Sequence, residues 1–128
     1  MPTTIPTSGD TQIYKLTFYV PPSDTQACLS AIWSTGAGTW PNPPGTEPVD
    51  APAKYIETAF VSRGTGMFRP TAAANPHIGK PGDAEVAEEE KVEMVVVGTP
   101  TVKRAVEALR KAHPYEVVAF FVTKCESF

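Results

Sequence analysis

The alternation of apolar and polar residues predicts a first β-strand over Ile13–Val20. Every second residue from Tyr14 onwards is apolar, whereas Lys15 and Thr17 occupy the positions between them. This spacing places the apolar side chains on one face of a strand. The two prolines that follow end the strand, because proline has no backbone donor for a sheet ladder.

Two segments have the helical spacing of apolar residues instead. Ser23 followed three residues later by Gln26 is typical of a capping box, and the helix is expected to end near Gly36. Its apolar positions are Cys28, Leu29, Ile32 and Trp33. A second helix is predicted from Thr99–Pro100, where proline takes the first helical position, to Pro114. Its apolar positions, at i, i+3, i+4 and i+7, are Val102, Ala105, Val106 and Leu109.

Three further strands complete the pattern. They are predicted over Tyr55–Ser62, Glu85–Val97 and Val117–Lys124, where β-branched and aromatic residues are enriched. The resulting order is β-α-β-β-α-β. This order predicts an α+β fold of the ferredoxin-like type, with an antiparallel sheet and both helices on one face.

Irregular segments separate these elements. Residues 1–12 mix Pro, Thr, Ser and Gly and predict a mobile tail, followed by a single domain over residues 13–128. Prolines fill the segment from Trp40 to Pro52, which predicts a loop over about residues 40–53. This loop is either a simple insertion or a polyproline segment that a partner binds. Another loop is predicted over Pro70–Gly82.

The last predicted strand is apolar on both faces. One side has Val117, Ala119 and Phe121, and the other has Val118, Phe120 and Val122. A sheet that is apolar on its second face needs a cover, and another copy of the same chain would supply one. The pattern therefore predicts a homo-oligomer.

Composition narrows the function classes. The chain has 128 residues and a formal net charge of −3, which gives no basic surface for a nucleic acid. Its apolar stretches are too short for a membrane span, and its first residues lack the features of a secretion signal. Two cysteines are too few for a disulfide scaffold. We therefore expect a cytoplasmic protein with reduced thiols.

A glycine-rich segment with two arginines is the first candidate site. Gly64, Thr65 and Gly66 lie between Arg63 and Arg69. Glycines that allow positive φ could expose backbone N–H groups to an anionic ligand, which the arginines would hold. The alternative is a hairpin or bulge whose arginines are simply solvated.

The two histidines are the second candidate site. His113 and Glu116 form a plausible pair of ligands for a divalent metal, with His77 or Cys125 as further ligands. Zinc usually takes three or four ligands, so a histidine that caps the C-terminus of the second helix is the alternative for His113. Cys28 is expected in the core. Catalytic motifs are missing from the sequence, so no catalytic residue is predicted.

Three short motifs resemble one known family. They are Gly64-Thr-Gly-Met-Phe-Arg-Pro70, Asn75-Pro-His-Ile-Gly79 and Ala112-His-Pro-Tyr-Glu116. Together they are similar to the Nif-three-like family, and more narrowly to the PII/CutA-like domain that is inserted into its longer bacterial members and also occurs as small stand-alone proteins. The resemblance extends from about Tyr14 to Phe121. It implies a ferredoxin-like fold and a trimer whose sheets pack inward.

The resemblance also limits the expected function. The long members hold a dinuclear metal site in a separate, larger domain that this chain lacks, so a GTP cyclohydrolase-like activity is not expected. The sequence predicts a small non-catalytic trimeric binding or regulatory protein, which takes an anionic small ligand or a divalent metal near clefts between subunits. A CutA-type protein that binds divalent metal is one alternative. A structural or interaction module that uses the proline-rich loop is the other.

Overall fold

A computed structural model describes residues 10–45 and 51–128 of the chain. The elements are β1 (Ile13–Val20), α1 (Thr25–Trp33), β2 (Phe60–Phe68), β3 (Glu85–Val97), α2 (Thr99–Ala112) and β4 (Phe120–Cys125), with a 3-10 turn over Pro22–Asp24. The strands form one antiparallel sheet in the order β2-β3-β1-β4. The predicted α+β, ferredoxin-like fold is confirmed.

The core lies between the helices and one face of the sheet. Alternate residues of the two central strands, β1 and β3, point toward the helices and are nearly inaccessible: Leu16, Phe18, Val20, Val92, Met94 and Val96. The helices meet them with Cys28, Leu29, Ile32, Val102, Ala105 and Leu109. Cys28 is fully buried as expected, and burial raises the pKa of its thiol to about 11. We call the side of the sheet that packs against the two helices the helix face, and the other side the open face.

The start of α1 differs from the prediction. The capping box at Ser23 is wrong, because Asp24 precedes the helix and makes no side-chain capping bond. The two prolines instead fold the chain into the 3-10 turn, in which the N–H of Asp24 donates to the carbonyl of Pro21 at 2.9 Å. The hydroxyl of Thr25 then ties the helix to β3 by donating to Glu90 at 2.6 Å.

Strand β2 lies further along the chain than predicted. It begins at Phe60 rather than Tyr55 and continues through Gly64 and Gly66 to Phe68. Neither glycine has a positive φ, and both pair with the acidic half of β3. The predicted end of this strand at Ser62 was wrong, because glycine allows an extended strand as well as a turn. The true connection follows β2, and the N–H of Gly82 closes it by donating to the carbonyl of Pro70 at 2.8 Å.

The last strand is shorter than predicted, beginning at Phe120 rather than Val117. Phe120 and Val118 pack against the core on the helix face. On the open face, Val117 is 80% exposed and Phe121 is 61% exposed. An apolar surface therefore remains uncovered in the single chain, as the predicted oligomer requires.

The proline-rich insertion joins the sheet through a short stem. The N–H of Gly38 donates to the carbonyl of Val95 at 2.8 Å, and the carbonyl of Gly38 accepts from the N–H of Thr58 at 3.0 Å. Further out, the N–H of Trp40 donates to the carbonyl of Tyr55 at 3.0 Å. The irregular segment thus ends only at β2, and residues 46–50 of the predicted loop lie outside the described residues.

The first described residues hold the start of α2. One carboxylate oxygen of Asp10 accepts the N–H of Thr99 at 2.6 Å, and the other accepts the N–H of Gln12 at 3.2 Å. The carbonyl of Gln12 accepts the N–H of Gly98 at 2.9 Å. Residues 10–12 are therefore fixed, contrary to the predicted tail, whose residues 1–9 lie outside the described part of the chain.

We expect Asp10→Asn to lower the Tm at pH 7 by about 2–4 °C, because an amide offers one acceptor oxygen instead of two. The hydrogen bonds from Thr99 are the main cause that lowers the pKa of Asp10 in the folded chain. A lowered pKa stabilises the fold above the unfolded value, near 4, and this stabilisation is lost as the pH falls through the folded value. Thermal unfolding between pH 2 and 7 should show the variant and wild type converging in acid. A difference in Tm between variant and wild type that did not change with pH would contradict this expectation. Asp83→Asn, which replaces an exposed aspartate, is the control for the loss of one negative charge.

Candidate ligand-binding cleft

Three segments that are distant in sequence line one cleft of about 480 Å³. They are the end of β2, the loop that follows it and the corner between α2 and β4. The cleft is lined by Gly66, Met67, Phe68, Arg69, Pro70, Thr71, Ala74, Pro76, His77, Ile78, Glu89, Tyr115, Glu116, Val117 and Ala119. Each of the three motifs seen in the sequence therefore contributes to the same surface.

The corner after α2 is fixed by His113. Pro114 ends the helix, so His113 is extended and its side chain turns inward, where it is only 6% exposed. Its Nδ1 atom accepts the N–H of Tyr115 at 3.1 Å. Its Nε2 atom lies 2.7 Å from the carbonyl of Tyr19, which can only accept, so this nitrogen holds the proton. Both ring nitrogens are engaged with backbone groups.

The ring of Tyr115 forms one wall of the cleft. It lies 4.9 Å from the ring of His113, 6.0 Å from that of His77 and 6.4 Å from that of Phe68. Its hydroxyl donates to a carboxylate oxygen of Glu89 at 3.3 Å. Burial and the adjacent carboxylate raise the pKa of Tyr115 to about 12. The hydroxyl therefore stays protonated and acts as a donor at neutral pH.

The two arginines of the predicted anion site are not together. Arg69 lines the cleft and donates to the carbonyl of Gly82 at 2.6 Å. Arg63 faces the opposite side of the sheet, where its guanidinium contacts Glu90 at 2.9 Å and Glu88 at 3.4 Å. These carboxylates raise the pKa of Arg63 and neutralise its charge locally. Arg69 is thus the member of the pair that could meet a ligand in the cleft.

The predicted metal ligands have other partners. Glu116 accepts the N–H of Asn75 at 2.8 Å, which ties the corner to the loop, and His77 is exposed at the cleft edge. Within residues 10–45 and 51–128, no three His, Cys, Asp or Glu side chains come together in a way that could hold a metal ion. A metal at His113, Glu116 and His77 stays a prediction, and it would have to displace the backbone partners of His113.

A second groove lies on the open face, at the other end of the sheet. It has a volume of about 560 Å³, and its apolar walls include Ile13, Trp40, Phe60, Val95 and Cys125. Lys15 and Glu93 form an ion pair of 3.1 Å within it. Cys125 is therefore far along the sheet from the predicted metal residues and is not brought together with them.

Relatives of the chain are known among longer proteins. No family model matches the sequence. A protein of Halalkalibacterium halodurans named GTP cyclohydrolase 1 type 2 homolog is 36% identical over 108 residues, which are 84% of this chain and 26% of that protein. A crystal structure of a Bacillus cereus protein related to NIF3 matches with a TM-score of 0.71 and 24% identity, over 94% of this chain and 27% of that one. This chain is a homologue of one segment of the Nif-three-like family.

The segment that this Nif-three-like homologue matches is about a quarter of each longer relative. Its fold also occurs in small proteins. CutA1 of Ehrlichia chaffeensis, described as a divalent ion tolerance protein, matches with a TM-score of 0.60 and 12% identity over 92% of this chain and 85% of that one. The complex of Bacillus subtilis GlnK with ATP matches with a TM-score of 0.56 and 15% identity over the same shares. These two likenesses confirm the predicted PII/CutA-like fold.

Two residues of the cleft were not found from the sequence. Tyr115 belongs to a motif but was assigned no role, and Glu89 was not named as a candidate. The signal that could have found Glu89 is the glycine pair of β2: Glu89 lies opposite Gly64, and its side chain occupies the space left by Gly66 on the same face.

The two helices were also compared with membrane-spanning helices. In the described part of the chain, no helix is long and apolar enough to cross a membrane.

Proposed function

We propose that this chain is a small binding or regulatory domain whose ligand occupies the cleft beside Arg69. The observation that supports this most directly is the convergence of three separate motifs on one cleft of about 480 Å³. Concave sites with apolar walls and a few polar groups are typical of small-molecule binding. The homology to one segment of longer proteins is consistent with a domain that binds or regulates.

The walls favour a ligand with a flat or apolar body and an anionic group. Phe68, Tyr115 and Ile78 supply apolar surface, and the arginine supplies the charge. Of the described residues that line the cleft, Arg69 alone is permanently cationic. One of its terminal nitrogens is held by Gly82, so the guanidinium is oriented before a ligand arrives.

Self-association through the open face is part of the proposal, with a trimer as the expected form. The groove around Trp40 and Phe60 and the exposed ring of Phe121 form an apolar surface that a second copy would bury. The Lys15–Glu93 ion pair lies within that surface and would favour one orientation of the second copy over others. The activity named for the longer relatives is not part of the proposal, because the match covers about a quarter of their length.

Native mass spectrometry with added ATP tests both parts in one experiment. ATP is the probe because GlnK, which has the same fold, is known in complex with it. We expect a trimer that takes up ATP, and Arg69→Ala should weaken uptake about tenfold or more while the trimer persists. Arg63→Ala is the matched control, since that arginine lies on the other face among carboxylates.

The outcomes separate the two parts. If the protein is a monomer, the proposed trimer is refuted, and the ATP uptake alone then tests the proposed cleft. If the wild type takes up no ATP, with or without Mg²⁺, the anionic ligand is refuted for this probe. Equal losses in the two arginine variants would show that only net charge matters and that the cleft is not the site.

A further inference from the structure

Of the two glycines of β2, Gly66 is the one where an added side chain would collide with a residue of the cleft. A Cβ atom built there would lie 2.6 Å from the carboxyl carbon of Glu89, whereas one built at Gly64 would meet nothing within 4 Å in the part of the chain that the structure describes. Both glycines are extended and face the same side of the sheet. The absence of a side chain at Gly66 therefore allows the carboxylate of Glu89 to lie flat against the strand, inside the cleft.

This carboxylate has a fixed position. The hydroxyl of Tyr115 donates to the Oε2 atom of Glu89 at 3.3 Å, and the carboxylate packs against the backbone of Gly66. Tyr115 is itself held by the bond between its N–H and His113. The second oxygen, Oε1, is the atom of Glu89 nearest to Gly66, and Glu89 lines the cleft. An ionised carboxylate only accepts hydrogen bonds, so whatever lies beside it must donate one.

The charges around the cleft have two signs. Arg69 is positive, while Glu89 and Glu116 are negative. Glu85 and Lys91 share the face of β3 with Glu89 but do not line the cleft, whereas Arg63 and its partners Glu88 and Glu90 lie on the opposite face. A ligand that is anionic at every polar position would be repelled at the Glu89 end, because an unpaired carboxylate beside it is costly in a cleft with apolar walls.

We infer that the cleft selects an amino-bearing anion, with its anionic group at Arg69 and its amino or ammonium group at Glu89. The inference rests on the proposed function and names the chemical class of its ligand. Gly66, Glu89 and Tyr115 together set the requirement for a donor. The amino group could belong to a heterocycle or to an α-amino acid, since each presents N–H groups to a carboxylate.

Calorimetry with two matched ligand pairs tests the inference. One pair is ATP and purine riboside triphosphate, which lacks the amino group, and the other is L-glutamate and glutarate. In the pair that binds, we expect the amino member to bind at least about tenfold more tightly to wild type. Glu89→Gln should reduce this preference below about threefold, because an amide no longer makes a charge-assisted bond. Glu88→Gln, the neighbouring glutamate on the other face, should keep it.

A second pair of variants tests the position of the carboxylate, because it leaves Glu89 itself unchanged. Gly66→Ala should displace Glu89 and abolish the preference, whereas Gly64→Ala should retain it, since both replace a glycine in the same strand. Equal binding of the two members of a pair, or a preference that survives in Glu89→Gln, would overturn the inference while the proposed function stands. If neither pair binds, both fail together.

Discussion

Replacing His113 by alanine is expected to lower the free energy of unfolding by about 3 kcal/mol. The ring joins the end of α2 to β1 through its bond with the carbonyl of Tyr19, and it holds the next turn through the N–H of Tyr115. Removing a side chain that is 6% exposed leaves both backbone groups without their partner and opens a cavity. Urea denaturation measures the loss.

The same experiment distinguishes a structural role from a metal site. His77→Ala is the control, because that ring is exposed, and it should change the stability by no more than about 0.5 kcal/mol. Adding a chelator to wild type should have no effect if the ring is held by backbone groups alone. A chelator that reproduced the loss would show that His113 binds a metal and that the bonds described above are not its main partners.

The elements with strong periodicity could be predicted to the residue. The bounds of β1 and β3 are those that were predicted, and α2 begins at the expected Thr99. In β1 and α2 most of the predicted apolar positions are buried, so a local pattern and the tertiary structure agree: Leu16, Phe18, Val20, Val102, Ala105 and Leu109. The order of elements then left the ferredoxin-like arrangement as the simplest topology.

Strand β2 could not be placed in the same way. Its first predicted residues, near Tyr55, instead form the stem of the insertion, and its true second half contains Gly64 and Gly66. A glycine pair between strands usually indicates a turn, and only the pairing with β3 shows that the chain continues straight. That pairing depends on residues more than twenty positions away, which no local window contains.

The cleft could be predicted in part, for a related reason. Arg69, His77 and Glu116 were all named as candidates, and the structure places them on one surface. Their convergence is a property of the topology, because the end of β2, the loop that joins it to β3 and the corner after α2 meet at the same end of the sheet. The separation of Arg63 from Arg69 follows from where β2 ends: Arg63 lies within the strand, whereas Arg69 follows its last residue, Phe68, and belongs to the loop.

Gly38→Ala is expected to lower the free energy of unfolding by about 3 kcal/mol, the combined effect of a strained backbone and an overfilled site. The φ of Gly38 is +80°, where a side chain is disfavoured. A Cβ atom there would lie 2.7 Å from the indole ring of Trp33 and 2.9 Å from the carbonyl of Thr58. Neither can move freely, because the indole N–H donates to that same carbonyl at 3.2 Å.

The matched control isolates the packing contribution. Gly45 has the same φ of +80°, but a Cβ atom built on it would meet no atom of the described residues within 4 Å. Gly45→Ala should therefore cost only the backbone term, about 1–2 kcal/mol. Equal losses in the two variants would mean that the stem at Gly38 yields to the added methyl group and does not hold the insertion against the sheet. A loss that is larger at Gly38 by about 1–2 kcal/mol would place the anchor of the proline-rich insertion at the contact between Trp33 and Thr58.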